Sequence, residues 1–336
     1  MKSSNIGDIA EEIFAESYGT VGNLVPEEPI TKKIPCPEKT KNKVKKELIS
    51  NLTRRKLQDK IFEWLFLGSI IFCLIFLIFL LLGLVVLGIR WLGPNFISRF
   101  PSRKVERSGF LPAIIGSLWL ILSVAVITIP IGVGSAIYLE QYSNKKSKFY
   151  NFLEVNISNL SGVPSIVYGL LGLAVFTRLQ GLRGTIISGA ITLSLMILPV
   201  IIVSTREAIK TVPSILIEAA YGLGMTKWQM IRAVIIPYSA PGIFTGVILA
   251  LSRAMGESAP LLVVGAASLV TRLPRGILSR YTAMPIQIYQ WTSYHNEKFQ
   301  ELASAGIIVL LIFLLTANSF AIILRNKFQK EKGGNY

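Results

Sequence analysis

Glu218-Ala-Ala-Tyr-Gly-Leu-Gly224-Met-Thr-Lys-Trp-Gln-Met-Ile-Arg-Ala-Val234-Ile-Ile236-Pro237 is a polar, glycine-punctuated stretch held between two strongly apolar runs. Its order predicts two short helices with a bend between them. Pro213 stands near a helix start, where its missing N–H costs nothing. Ser214 to Leu223 is helix-competent, and Gly222 and Gly224 can end it in the left-handed conformation that a Cβ resists. Thr226 and Gln229 then stand at capping-box spacing. The second helix is expected to run to about Ile236, where Pro237 stops or kinks it. A membrane chain needs no connector this ordered merely to turn around. The shape suits docking onto another protein at the membrane surface, with Glu218, Ala219, Ala220, Gly224, Thr226, Trp228 and Pro237 as the residues that build it.

The flanking runs decide the fold class. Of 336 residues, 51% are hydrophobic and only 16% charged, and the apolar residues come in long blocks. Trp64 to Ile89 carries no charge. At about 1.5 Å per residue such a helix exceeds a hydrocarbon core of roughly 30 Å. Trp64 and Trp91 flank it as interfacial aromatics do. Further spans are expected at Leu111–Leu139, Ser161–Leu179, Thr185–Thr205, Pro241–Ala267 and Leu302–Leu324. The expectation is an all-α integral membrane protein with six transmembrane helices. The organisation read from this pattern is an amino-terminal tail at 1–55 without regular structure, a membrane domain at 56–328 with the polar loop at about 206–240, and a short tail at 329–336. About sixty polar residues precede the first apolar run, which fits no cleavable signal peptide. With both termini inside, the inner segments hold roughly twice the Lys and Arg of the outer ones, so the termini are expected in the cytoplasm. The basic stretch Arg90–Arg107 runs against that sum.

The net charge of +16 sits beside the spans. Orientation and anionic membrane lipid account for it, and no nucleic-acid partner is needed. Lys41–Lys46 and Arg54–Lys56 can lie against acidic headgroups. No Cys/His spacing suits a metal, and no cofactor or catalytic cluster is expected. Cys36 and Cys73 fall in different environments, which disfavours a disulfide. His295, the one histidine, reads as a loop residue. Tyr168 and Trp291 read as packing or interfacial aromatics, and Arg178 and Arg183 as snorkelling anchors.

The opening stretch resembles the Glu-Ala-Ala loop of ABC-importer permeases, with Val234 and Ile236 where the family usually has Ile and Leu. Four other segments resemble the phosphate-transport branch, and its PstA family rather than the sister PstC family. They are Ser161-Gly-Val-Pro-Ser-Ile-Val-Tyr-Gly169, Met196-Ile-Leu-Pro199, Arg253-Ala-Met-Gly-Glu-Ser-Ala-Pro-Leu261 and Pro285-Ile-Gln-Ile-Tyr-Gln-Trp291. The resemblance runs from about Leu57 to Phe328. It implies the type I importer permease architecture and pairing with a PstC-like permease partner. It also implies a cytoplasmic ATPase dimer beneath, an external phosphate-binding protein above, and one half of a path for inorganic phosphate. The chain has no Gly-x-x-x-x-Gly-Lys-Ser/Thr phosphate loop, which agrees with a permease that hydrolyses no ATP itself.

Arg253 and Glu257 stand four apart in the expected fifth span, so they should share one helix face with Gly246, Ala250 and Gly256. A charge alone at mid-membrane costs about 2.5–3.5 kcal/mol on insertion scales, so such residues face a cavity or each other. A guanidinium matches phosphate oxygens bidentately, which makes this pair the candidate for the substrate path. The competing reading is an ion pair that only pins spans. Other readings of the whole chain are a molybdate or sulfate permease, a membrane enzyme, or a membrane sensor.

Overall fold

The computed structural model describes the backbone of residues 38–179, 181–266, 270 and 272–333. Among these the chain is helical, with no strand and one isolated bridge between Thr185 and Arg280. The helices are α1 (Glu38–Gly88), α2 (Pro94–Ser98), α3 (Leu111–Ile137), α4 (Lys148–Ser161), α5 (Ser165–Gly172), α6 (Ile186–Lys210), α7 (Ser214–Gly222), α8 (Lys227–Met230), α9 (Ile236–Gly256), α10 (Ala259–Val264), α11 (Met284–Thr292) and α12 (Glu297–Gly333). Two compact units divide the chain at Leu74.

The described part of the first unit is the start of α1, which continues into the second. Residues 38–55 were expected without regular structure; they are helical, part of a single helix of 51 residues. No proline falls between Glu38 and Gly88, and once the apolar run nucleates a helix nothing in the sequence stops it growing back towards Glu38. The expected tail at 1–37, with Cys36, lies outside the described residues. Cys73 is free and exposed. Apart from the half-buried Leu84, the large apolar side chains of the first span are exposed from Ile61 to Ile89.

In the second unit α6 is the central helix. It packs on α3, α4, α5, α9 and α10, and Ile186, Leu193, Ile197 and Ile201 are fully buried along it. Close approach is made by small residues. A Cβ at Gly246 would overlap Ser204, and one at Gly242 would overlap Ala208, so α9 lies directly on α6. Gly189 leaves room for the Tyr281 hydroxyl, whose burial pushes its pKa above the ordinary phenol range. A second core joins Phe96, Phe110 and Trp291, with ring centroids 5.4 to 5.9 Å apart, to α12. Trp291 is thus a packing residue. Trp91 donates to Glu301 at 2.8 Å.

Five of the described helices are long and apolar enough to cross a membrane, with a sixth crossing if α4 and the helical run Ser165–Thr177 count as one span bent by 103°. Two span boundaries need correction. The expected third span, Ser161–Leu179, starts inside that bend, because Gly162 and Pro164 interrupt the helix. The expected fifth span, Pro241–Ala267, is shifted: one helical rod runs from Lys227 to Gly256, and α10 is a separate short helix. Pro237 neither stops nor breaks the rod. A π turn at Ile231–Ile235 precedes it, and Ile236 N–H donates back to Ile231 O. This widened turn takes up the register change, and Pro237 sits at the start of the next α segment, where a missing donor is tolerated.

Candidate functional site

The Glu218 loop has the geometry its residue types suggest. α7 ends in a Schellman motif: Met225 N–H donates to Ala220 O at 3.1 Å and Gly224 N–H to Tyr221 O at 2.9 Å. Gly224 holds φ +75. The Thr226 capping box is complete, with Thr226 N–H on Gln229 Oε1 at 2.8 Å and Gln229 N–H on Thr226 Oγ1 at 3.4 Å. Ala220 is buried in one cluster with Met230, Ile231 and Ile235, and the partly buried Ile217 of α7 packs on the same cluster. Glu218, Ala219, Gly224, Thr226 and Trp228 are exposed, along with Ile215, Tyr221 and Leu223. The outcome is a rigid two-helix projection, seated by Ala220 and Ile217 and presenting apolar and aromatic side chains outward.

Arg253 lies in the last turn of α9, while Glu257 follows the helix end with φ −77 and ψ 122. The two therefore do not share a helix face as expected. Extended backbone at Glu257 still brings Oε1 to 3.6 Å from Arg253 Nε. The Arg253 side chain is 55% exposed and that of Glu257 20%. Gly246 and Ala250 turn towards α6, whereas Gly256 faces open space. Pro260 opens α10 just beyond, and α10 packs on α5, where Gly169 admits the Pro260 backbone. Arg253 and Glu257 thus stand where one helix ends and another begins. Arg183 and His295 are exposed, the latter in the turn before α12. Tyr168 is buried and donates to Leu160 O at 2.7 Å, and the Arg178 side chain lies outside the described residues.

One cluster has no counterpart in the sequence reading. Arg206, near the end of α6, is buried and meets three partners from two other elements. Its Nη2 donates to Tyr150 Oη at 2.6 Å and to Glu154 Oε1 at 3.1 Å, both on α4. Its Nε lies 3.5 Å from Glu140 Oε2, in the π turn Tyr138–Tyr142 that follows α3. Side-chain exposure is 7% for Arg206 and 7% for Glu140, whose other oxygen pairs with Lys145. Two cations and two carboxylates balance. Beside them Lys227 of α8 lies over the Tyr142 ring, 4.8 Å from its centroid. The signal available in sequence was weak: Glu140 and Arg206 each stand at the end of an apolar run.

Known proteins share this architecture. Residues 128–330 match the family described as binding-protein-dependent transport system inner membrane component. The chain is similar to the phosphate transport system permease protein PstA of Yersinia pestis, 33% identical over 83% of this chain and 92% of that one. It is similar to the Pasteurella multocida protein of the same name, 33% identical over 80% of this chain and 95% of that one. A probable ABC transporter permease, YqgI of Bacillus subtilis, is 35% identical over 62% of this chain and 70% of its own length. Among solved structures, a bacterial alginate ABC transporter chain matches the fold with a TM-score of 0.60 at 17% identity, covering 79% of this chain and 93% of that one. A chain of the MetNI methionine ABC transporter matches at 0.52 and 18%, covering 65% and 94%. With this match over most of its length and these helices, the chain belongs to the binding-protein-dependent transport system inner membrane components, as a multi-pass permease subunit of an ABC importer.

Proposed function

We propose that this permease serves an ATP-driven importer of inorganic phosphate. It would form half of the translocation path, pair with a PstC-like permease, and receive phosphate from an external binding protein. Similarity to PstA proteins over more than four fifths of the chain carries the substrate assignment. The Glu218 loop would seat in the cytoplasmic ATPase dimer. Its support is the exposed, rigid helix pair described above, with Glu218 and Trp228 outward. Both termini would then lie in the cytoplasm, on the loop's side.

Arg253 is the proposed contact of the anion. An arginine facing lipid at depth is costly, and this one is more than half exposed on the isolated chain. A polar path along a partner permease is the surrounding that suits it. Glu257, within reach, would hold the guanidinium when the path is empty and accept a hydrogen bond from a protonated phosphate oxygen when it is filled. ATP-dependent uptake of radiolabelled phosphate by the reconstituted complex tests the assignment, with sulfate and molybdate as competitors. Uptake of either competitor in place of phosphate would transfer the reading to that oxyanion.

A further inference from the structure

We propose that Arg206 is a positioning residue for ATP-coupled movement. Through Tyr150, Glu154 and Glu140 it ties the base of the Glu218 loop to α4 and to the end of α3, so that displacement of the loop is carried into the bent α4–α5 pair. The inference rests on the reading that the loop docks on an ATPase.

Position comes first. α7 starts four residues after α6 ends, so Arg206 stands one turn from the loop's foundation. Lys227, in the loop's second helix, reaches Tyr142 in the same π turn that carries Glu140. The loop is therefore joined to this corner at its start and again through its second helix. From the corner α4 leads to the 103° bend and into α5. There Gly169 and Gly172 bring the helix against Pro260 and Val264 of α10, immediately beyond Glu257. Each step is a packed contact, a polar or cation–π contact, or the chain itself.

Chemistry comes second. A planar guanidinium can serve three partners in fixed directions, which an ammonium cannot. Neutralising Arg206 requires one carboxylate, which Glu154 supplies; Glu140, already paired with Lys145, and Tyr150 add two further directional partners from two elements. The arrangement also keeps a loose joint: Glu140 Oε2 and Arg206 Nε face each other at 3.5 Å, and neither has a hydrogen bond. A small shift of the π turn would close that gap into a charge-assisted hydrogen bond, so the corner has a second arrangement close at hand.

The test uses the full chain in complex with its ATPase. Cysteines placed at exposed Ser214 and Asn151, in a Cys36→Ser/Cys73→Ser background, carry spin labels that report the distance from loop to α4. With wild-type Arg206 the expected result is one narrow distance that addition of ATP plus vanadate leaves unchanged, because the two elements move together. Arg206→Gln should broaden and shift that distance on nucleotide addition, and raise ATP hydrolysed per substrate moved about fivefold or more, the lower end of site-to-site coupling. Arg206→Lys keeps the charge without the fork and should behave the same way, which preserves the test if the Gln variant does not fold. Glu154→Gln, at the half-exposed end, should broaden the distance less. Wild-type distances in both Arg206→Lys and Glu154→Gln would reduce the cluster to charge balance and overturn the proposal. Failure of the unlabelled wild-type chain to bind its ATPase would instead refute the docking reading.

Discussion

Gly224→Val isolates the bend of the Glu218 loop from everything packed around it. Gly224 holds φ +75, and a Cβ built there meets no heavy atom within 4 Å. The penalty is therefore conformational and not steric crowding. A left-handed conformation costs an L-residue roughly 1–2 kcal/mol, and a β-branched side chain more. At about 1.4 kcal/mol per tenfold, the cost to Ala corresponds to about 5–30-fold in the population of the bent loop, and to Val more. If only the bent loop docks, apparent affinity falls by that factor. Titration of the purified, detergent-solubilised chain with its ATPase subunit should show dissociation constants rising in the order Gly, Asn, Ala, Val, since Asn tolerates the left-handed region best after Gly. Yield and thermal stability of the permease should stay unchanged, because the residue is exposed and distant from the main core. Affinity of the Val variant within about twofold of wild type would refute the reasoning, since that difference is far below the strain expected.

Arg253→Gln should abolish phosphate uptake while sparing insertion and ATPase binding, because a half-exposed ion pair contributes about 0–1 kcal/mol to stability; Arg253→Gln/Glu257→Gln should stay inactive, and wild-type uptake by this double variant would remove Arg253 from the path. Protease added to intact spheroplasts should leave the amino-terminal tail uncut and cleave a site inserted between Arg272 and Gln300; removal of the tail would invert the topology. Gly172→Val would push a side chain into Thr192 and Val264, an overpacking worth about 1–3 kcal/mol, so the melting temperature in detergent should drop; an unchanged one would mean that α5 is not seated on α6 as described.

What could be read from sequence was local. The Gly224 bend and the Thr226 cap depend on residues within a few positions of each other, and their chemistry allows few alternatives. Long apolar runs located five of the six expected crossings, since length and hydropathy suffice for that; the sixth is met only by the bent pair α4 and Ser165–Thr177. The ends of two crossings were not legible. Hydropathy runs unbroken through Ser258–Val264, whereas the helix stops at Gly256 because Pro260 and the close seat of α10 on α5 demand a new start. Pro237 was read by its usual habit as a stop or a kink, but a preceding π turn absorbed it, and no residue type announces such a turn. Arg206 and Glu154 are 52 residues apart. No periodicity links them, and only the packing of α4 on α6 brings them together.

The π turn at Ile231–Ile235 also fixes an angle. Trp228 and Arg253 sit on one rod, about 25 residues or nearly 40 Å apart at 1.5 Å per residue. Each residue of an α-helix advances the azimuth by about 100°. The wider i→i+5 turn advances the azimuth less per residue, so it takes up one extra residue and leaves the distant guanidinium facing as it would from an unbroken α-helix. Deleting one residue there would let the turn relax to an ordinary α register and leave Arg253 facing nearly as before, whereas the same deletion in the regular helix beyond it would swing Arg253 by about 100°. Helix phase, as much as side-chain identity, is what aligns Arg253 with the Glu218 loop, and this turn is where an extra residue is taken up without losing that phase.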